Sequence, residues 1–262
     1  MNKGISFYFG YKIAPEERAK LIHEHGFDTV ITNADPKLNS QNGTIRAQMK
    51  IFKKYDIKPS SLHMQYNSED LHYFWEEGRE GEKLKKRLIK DVKIAAKYDF
   101  TCVVVHLDGK WSEIGKQRLL DVLKVCHKKN KPLAIENIHC QELFVKVFEE
   151  IKDDYLRFCY DSGHNNTYDK DFDYLEKYGD KLITLHLHDN DGSSDMYTLN
   201  KFGNIDWKKL GEKIAKHKDN LFSLDYEIFM TRTRQDVGID EYLNEVKKQA
   251  DELENIIENT SK

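Results

Sequence analysis

The amino-acid sequence predicts an α/β fold, specifically a (β/α)8 barrel. Short apolar runs rich in Val, Ile, Phe and Tyr alternate along the chain with longer charged segments of helical period. There are eight such runs, the strand number of this barrel, and a chain of 262 residues suits one barrel domain. No Pro-, Gly- or Ser-rich linker divides the sequence, so we expect a single domain over residues 1–262.

The predicted strands are short runs in which β-branched and aromatic residues are frequent. In chain order they cover residues 5–9, 27–32, 57–63, 100–106, 133–136, 157–161, 182–188 and 221–227. Pro15 and Gly26 mark the two ends of the first helix, and later helices are expected at 79–98, 113–129, 140–152, 206–217 and 239–258. The connections 64–78 and 188–205 are longer than the others. Both follow strands, so both would lie at the C-terminal mouth of the barrel, where such folds hold their active sites.

Composition and charge disfavour several classes of protein. The net charge of −3 and the isoelectric point of about 6.4 disfavour nucleic acid as a partner. We expect neither a membrane span nor a signal peptide, because the strongly apolar runs are only as long as strands. The four cysteines form no Cys-x-x-Cys pair, which is typical of reduced thiols in a cytoplasmic protein.

Six consecutive predicted strands carry an imidazole or a carboxylate at or near their C-terminal ends. These residues are His63, His106, Glu136, Asp161, His186 and Glu227. Because residues two apart share a face of a strand, Glu136 points inward with the small Ala134, and the other strands follow the same alternation. Several carboxylates packed together would repel one another without a cation. The pattern therefore predicts a divalent metal ion, and its oxygen and nitrogen ligands suit Mn²⁺, Co²⁺, Mg²⁺ or Zn²⁺.

A set of short motifs then narrows the assignment. They are Glu136-Asn137, FCYDSGH at 158–164, HLHDNDG at 186–192, GNIDW at 203–207 and DYE at 225–227. In order and spacing they resemble the xylose isomerase-like TIM-barrel superfamily, and within it the sugar phosphate isomerase/epimerase branch. The resemblance covers strands five to eight closely and the rest of the chain more loosely.

The resemblance implies one divalent metal ion held by Glu136, Asp161, His186 and Glu227. We choose His186 over His188 because the family pattern is His-x-x-Asp, although strand alternation alone leaves both histidines on one face. Glu136 and Glu227 would be the catalytic residues that exchange a proton beside a sugar carbonyl, through an enediolate. The expected partner is a small sugar or sugar phosphate.

Other residues are expected to bind the substrate. They are His63, His106, His164, His188, Trp75 and Arg232. Trp75 lies in the long connection after the third strand, where it could stack on a sugar or pack as part of a lid. Arg232 follows the eighth strand, in a region of such barrels that often binds phosphate, but loop arginines are usually solvated.

Two alternatives remain open at the level of sequence. DNA-repair endonuclease IV, a multi-metal phosphodiesterase of the same superfamily, has ligands at positions resembling His63 and His106, which with Glu136 would hold a second ion. His164 and Asp195 resemble part of its third metal site, but Tyr197 stands where that pattern requires histidine. The other alternative is a sugar-binding barrel without turnover. A homo-oligomer is compatible with the sequence in each case.

Overall fold

A computed structural model describes residues 1–35, 39–64, 68–230 and 237–260. Its strands are β1 (Asn2–Ser6), β2 (Thr29–Asn33), β3 (Lys58–His63), β4 (Cys102–Val105), β5 (Leu133–Glu136), β6 (Leu156–Asp161), β7 (Leu182–His186) and β8 (Ser223–Tyr226). All pair in parallel, and β1 lies between β2 and β8. Leu187, just after β7, forms a parallel bridge with Tyr226 of β8. The sheet is therefore a nearly closed barrel, which confirms the predicted (β/α)8 fold.

The helices surround the strands. They are α1 (Pro15–Glu24), α2 (Asn39–Asn42), α3 (Ile45–Lys54), α4 (Arg79–Tyr98), α5 (Glu113–Lys129), α6 (Gln141–Glu150), α7 (Ser162–Tyr168), α8 (Tyr174–Tyr178), α9 (Trp207–Ala215) and α10 (Ile239–Thr260). Short 3-10 turns occupy Ser68–Trp75, Gly179–Lys181, Asn200–Phe202 and Lys218–Asn220. Within the described ranges, no helix is both long and apolar enough to cross a bilayer.

The predicted bounds agree best where a segment has a strong pattern of its own. The bounds of β5, α4 and α5 match the prediction, whereas the first strand lies at Asn2–Ser6 and not at 5–9. Polar Asn2 and Lys3 join the ladder because they pair with β8, and this pairing is not visible in local hydropathy. The helices α2, α3, α7 and α8 are not among the predicted ones, since the sequence pattern indicates only connections in these segments.

Small side chains fill the barrel interior beneath the mouth. Cys102, Val104, Ala134 and Cys159 form a separate buried cluster, as the strand alternation predicted for Ala134. The buried Asp225 accepts hydrogen bonds from the hydroxyls of Ser223 (2.8 Å) and Thr29 (3.1 Å). At Gly4, a Cβ atom would lie 1.8 Å from Oδ1 of Asp225, so only glycine allows this carboxyl group its place.

Candidate active site

Four strands bring the predicted metal ligands to one point at the mouth. Glu136 ends β5, Asp161 ends β6, His186 ends β7 and Glu227 follows β8 directly. One ligand atom from each of the four lies within 4.8 Å of the others. Glu136, Asp161 and His186 are at most 1% exposed, so these three side chains are almost completely shielded from bulk solvent.

The contacts inside this cluster suit a divalent cation. Nδ1 of His186 lies 3.0 Å from Oε2 of Glu136 and 3.0 Å from Oε2 of Glu227. These contacts are close but lack the angles of hydrogen bonds: within the described part of the chain, the two carboxylate oxygens of Glu136 and the two ring nitrogens of His186 are buried and form none. Buried polar atoms without hydrogen bonds are rare and require an explanation. A mixed oxygen and nitrogen set that converges in this way fits a metal ion.

The electrostatics keep both glutamates ionised. Burial opposes the charged form of Glu136, but His106 and His186 outweigh it and hold its pKa well below the ordinary value. Burial also opposes ionisation of Glu227, yet His186 lowers the pKa of Glu227 to about 2. Burial disfavours a charged His186, but Cys159 and the two glutamates raise its pKa well above the ordinary value. Both glutamates are therefore carboxylates at neutral pH.

Three further imidazoles face Glu136. Nε2 of His63 and Nε2 of His106 lie 3.2 Å apart, and they lie 3.5 Å and 3.1 Å from carboxylate oxygens of Glu136. Nδ1 of His63 donates to the carbonyl of Met64 (3.0 Å), so this ring nitrogen carries a hydrogen. Nδ1 of His164 lies 3.1 Å from Oε1 of Glu136. The structure thus brings together the histidines that the sequence suggested for substrate or a second ion.

His188 contacts the carboxylate of Asp161. Its Nε2 is 3.1 Å from Oδ1 of Asp161, and its ring stacks on Tyr197 with centroids 4.3 Å apart. His164 and His188 both approach Asp195, at 3.4 Å and 3.6 Å. Tyr197 stands where the phosphodiesterase pattern has a histidine. Its ring therefore stacks on the imidazole of His188 at that position.

The local sequence explains how Asp161 is held. The Asn137 side chain donates to the carbonyl of Asp161 and accepts from its N–H, both at 2.8 Å, and so ties the end of β5 to that of β6. Oδ1 of Asp161 accepts from the N–H of His164 (2.6 Å) and caps α7. At Gly163, a Cβ would lie 1.9 Å from the His188 ring. The motif FCYDSGH therefore supplies the predicted ligand Asp161, which also caps α7, and the glycine that leaves space for the His188 ring.

Asp189 organises the long connection after β7. Its Oδ1 accepts from the N–H groups of Asn204 (3.0 Å) and Ile205 (3.1 Å), and its Oδ2 accepts from the Trp207 indole (2.5 Å). These bonds draw GNIDW back against the end of β7. Hydrogen bonds thus connect the motif HLHDNDG, which contains Asp189, to the motif GNIDW.

A cavity of about 300 Å³ opens beside the cluster. Predicted residues on its wall are His63, His106, Glu136 and Glu227. Wall residues that sequence reasoning missed include Phe7, Tyr8, Asn33, Asn42, Tyr197 and Phe229. None of these aromatic and amide residues carries a local signal of a binding role, so only the fold could identify them.

Among the described residues, the predicted substrate contacts His164, His188 and Trp75 are not on the wall of this cavity. Trp75 is 2% exposed, packs against Gly115 and lies 5.5 Å from the Trp111 ring, and it is not among the described residues that line the cavity. Trp75 therefore packs the connection in which it lies against the start of α5. Arg232 lies outside the described residues.

A second group of potential ligands lies on the loops after β4 and β5. The Cys140 thiol donates to Oδ1 of Asp108 (2.7 Å), and Nε2 of His139 lies 3.3 Å from Oδ2 of the same carboxylate. Burial and the Asp108 contact raise the pKa of Cys140 to about 11, so the thiol keeps its proton. This trio satisfies its own polar groups, in contrast to the cluster around Glu136.

Comparisons with known proteins agree with this architecture. A family model described as xylose isomerase-like TIM barrel matches residues 19–254. The structure of a D-tagatose 3-epimerase-like protein aligns with a TM-score of 0.76 and 19% identity over 99% of this chain and 98% of that one. D-psicose 3-epimerase from Clostridium cellulolyticum H10, solved with D-tagatose, aligns with a TM-score of 0.69 and 13% identity over 100% of both chains.

One sequence relative has a higher identity over a shorter region. The uncharacterized protein y4fM of Sinorhizobium fredii is 29% identical over an alignment of 163 positions, which covers 55% of this chain and 51% of that protein. The match therefore spans about half the length of this relative. At their low identities, the two solved structures show a shared fold.

Proposed function

This chain belongs to the xylose isomerase-like TIM-barrel family, and from that premise we propose that it is a divalent-metal-dependent sugar or sugar-phosphate isomerase or epimerase. The observation that carries the proposal is the position of Glu136 and Glu227. Both belong to the four-residue ligand cluster, and both also line the cavity of about 300 Å³. Solved structures of the same fold include a D-psicose 3-epimerase with D-tagatose, which favours a ketose as substrate.

The residues suit proton transfer beside a carbonyl group. Glu136 and Glu227 extend from separate strands and approach Nδ1 of His186 at 3.0 Å each, so a substrate in the cavity meets two carboxylates. Their lowered pKa values keep them in the basic form at neutral pH. One removes the proton to give an enediolate, and the same or the other returns it. A divalent ion, when bound, polarises the carbonyl and stabilises the developing negative charge.

The histidines would hold the substrate oxygens. His63 and His106 line the cavity, and the pKa of His106 is lowered because burial disfavours its charged form. A neutral imidazole can donate one hydrogen bond and accept another, which matches a sugar hydroxyl. His164 and His188 lie against Glu136 and Asp161, where they support the orientation of these carboxylates.

Metal content tests the first part of the proposal. After reconstitution with Mn²⁺ and removal of loosely bound ions, element-resolved mass spectrometry should find one ion per chain. Asp161→Ala should lose it, whereas Asp195→Asn, outside the four-ligand cluster, should keep it. Two or three ions, with one lost in His63→Ala, would favour a phosphodiesterase, and a chain that retains no ion contradicts both metal-dependent functions.

Turnover tests the second part. Incubation with D-tagatose, D-psicose and D-fructose in D2O should give an isomeric product with deuterium at the carbon beside the carbonyl. With the metal ion still bound, Glu136→Gln and Glu227→Gln should each lower kcat by at least about 100-fold, because an amide cannot accept the proton. Tight sugar binding without any product would instead favour the non-catalytic sugar-binding barrel.

A further inference from the structure

A buried cation lies behind one wall of the cavity. Arg18 of α1 is 0% exposed, and in the described part of the chain its hydrogen bonds go to uncharged oxygens. They are Oδ1 of Asn42 (2.6 Å) and the carbonyls of Tyr11 (3.2 Å) and Ile13 (3.1 Å). Burial lowers the pKa of Arg18 to about 10, so the group still carries its charge at neutral pH. A buried charge without an acidic partner is costly and requires an explanation.

The guanidinium group holds the wall of the cavity in place. It lies over the rings of Phe7 and Tyr8, with its central carbon 5.3 Å and 5.0 Å from their centroids. Both rings line the cavity, as does Asn42. One side chain of α1 therefore contacts three residues that the substrate would meet.

The same contact fixes which way the Asn42 amide faces. A guanidinium group only donates hydrogen bonds, so the atom that faces Arg18 must be the amide oxygen. Nδ2 is then at the other end of the amide, where it forms no hydrogen bond with the described residues and is open to the cavity that Asn42 lines. A donor on a cavity wall that has no partner in the protein is available to an acceptor oxygen of a ligand.

We propose that Asn42 is a substrate-binding residue whose amide NH2 donates a hydrogen bond to a hydroxyl or carbonyl oxygen of the ketose, and that Arg18 is the residue that positions it. This inference rests on the proposed function. Asn42 approaches from α2, after β2, whereas the two glutamates come from β5 and β8. The guanidinium group polarises the amide and strengthens its N–H as a donor. The Asn42 amide therefore favours a ketose oxygen that has a free lone pair at this position of the cavity wall.

Asn42→Asp separates a binding role from a structural one. An aspartate has the same shape and still accepts from Arg18, but it presents an acceptor to the cavity where Asn42 presents a donor. With the ketose that the wild-type chain converts, we expect KM to rise about 10- to 100-fold and kcat to change less than threefold. The matched control, Asn244→Asp on the exposed face of α10, should leave both unchanged. An unchanged KM in Asn42→Asp overturns the inference.

The positioning role of Arg18 requires its own comparison. Arg18→Met keeps much of the volume and removes the donors, so KM should rise in the wild-type background but not further in Asn42→Ala. An equal rise in both backgrounds would show that Arg18 does not act through Asn42. Where Arg18→Met fails to fold, the Asn42→Asp result decides the inference alone.

Binding distinguishes failure of this inference from failure of the proposed function. Calorimetric titration with D-tagatose, D-psicose and D-fructose measures affinity whether or not turnover occurs. Binding lost in Asn42→Asp, in a chain without turnover, supports the Asn42 contact and contradicts the proposed isomerase. Turnover with unchanged KM in Asn42→Asp contradicts only the Asn42 contact, and a wild-type chain that neither binds nor converts these ketoses contradicts both.

Discussion

A glycine at position 163 allows His188 to reach Asp161. The Nε2 atom of His188 lies 3.1 Å from Asp161, and no side chain fits between Gly163 and the ring, since a Cβ would lie 1.9 Å from the ring carbon. Residues that orient a metal ligand commonly affect metal affinity by 10- to 100-fold. The identity of this one residue therefore bears on the strength of the proposed metal site.

Gly163→Ala tests this relationship. We expect the added methyl group to push His188 away from Asp161 and to weaken metal binding by about 10-fold or more, because Asp161 loses a hydrogen-bonded neighbour. Competition with a metal-binding dye measures the affinity. Gly238→Ala is the control, since a methyl group there would meet no described atom within 4 Å. Equal affinity in both variants would show that the His188 contact does not orient the ligand.

At the scale of elements, α10 is joined to β1 by charge pairs. Nζ of Lys3 lies 2.6 Å from Oε2 of Glu254 and 3.3 Å from Oδ1 of Asp251. Burial opposes ionisation of Glu254, but Lys3 outweighs it and lowers the pKa of this carboxyl below its ordinary value of 4.5. Ion pairs with α10 thus help to hold β1, the strand that local hydropathy predicts at 5–9 and that the structure has at Asn2–Ser6.

The lowered pKa of Glu254 predicts a dependence of stability on pH. A group with a lowered folded-state pKa stabilises the fold above its unfolded value, near 4.5, and loses this effect as the pH falls through the folded value. Glu254→Gln should reduce the free energy of unfolding by about 1 kcal/mol at pH 7 and by less at pH 3.5. Urea unfolding at the two pH values measures both. The same loss at both pH values would exclude an ionic origin, and Glu258→Gln, exposed on the same helix, should have little effect at either.

At the scale of the whole molecule, the ligand cluster connects strands that are distant in sequence. Glu136, Asp161, His186 and Glu227 come from β5, β6, β7 and the end of β8, which together form half of the barrel. A bound ion would hold these strand ends together and offset the repulsion among three carboxylates. Stability of the barrel should therefore depend on metal.

Calorimetric unfolding tests this dependence. At a free Mn²⁺ concentration 100 times the dissociation constant, binding adds about 2.7 kcal/mol, which corresponds to a rise in Tm of roughly 5–10 °C for a chain of this size. Chelation should reverse the rise, and Asp161→Ala should show none. Because His186 must give up its proton to bind metal and its pKa is raised, the stabilisation should increase with pH. A Tm that is independent of metal would contradict the site.

The sequence by itself determined the barrel and the residues at its mouth. Strand number follows from apolar runs, and the positions of Glu136, Asp161 and Glu227 follow from strand alternation, because both are local properties of the backbone. The choice of His186 over His188 required the family pattern, since alternation places the two on one face. In the structure His186 lies in the four-ligand cluster and His188 lies on Asp161.

Only the tertiary structure decided the wall of the cavity. Asn42, Tyr197 and Phe229 are far apart in sequence and line one cavity because the segments that follow different strands come together at the barrel mouth. Trp75 is an aromatic residue in a connection, as are Tyr197 and Phe229. It packs against Gly115, however, and is not among the described residues that line the cavity. Local hydropathy and motif spacing describe the backbone within a few residues, whereas contacts between loops depend on how the whole barrel closes and on which side chains then fill the space.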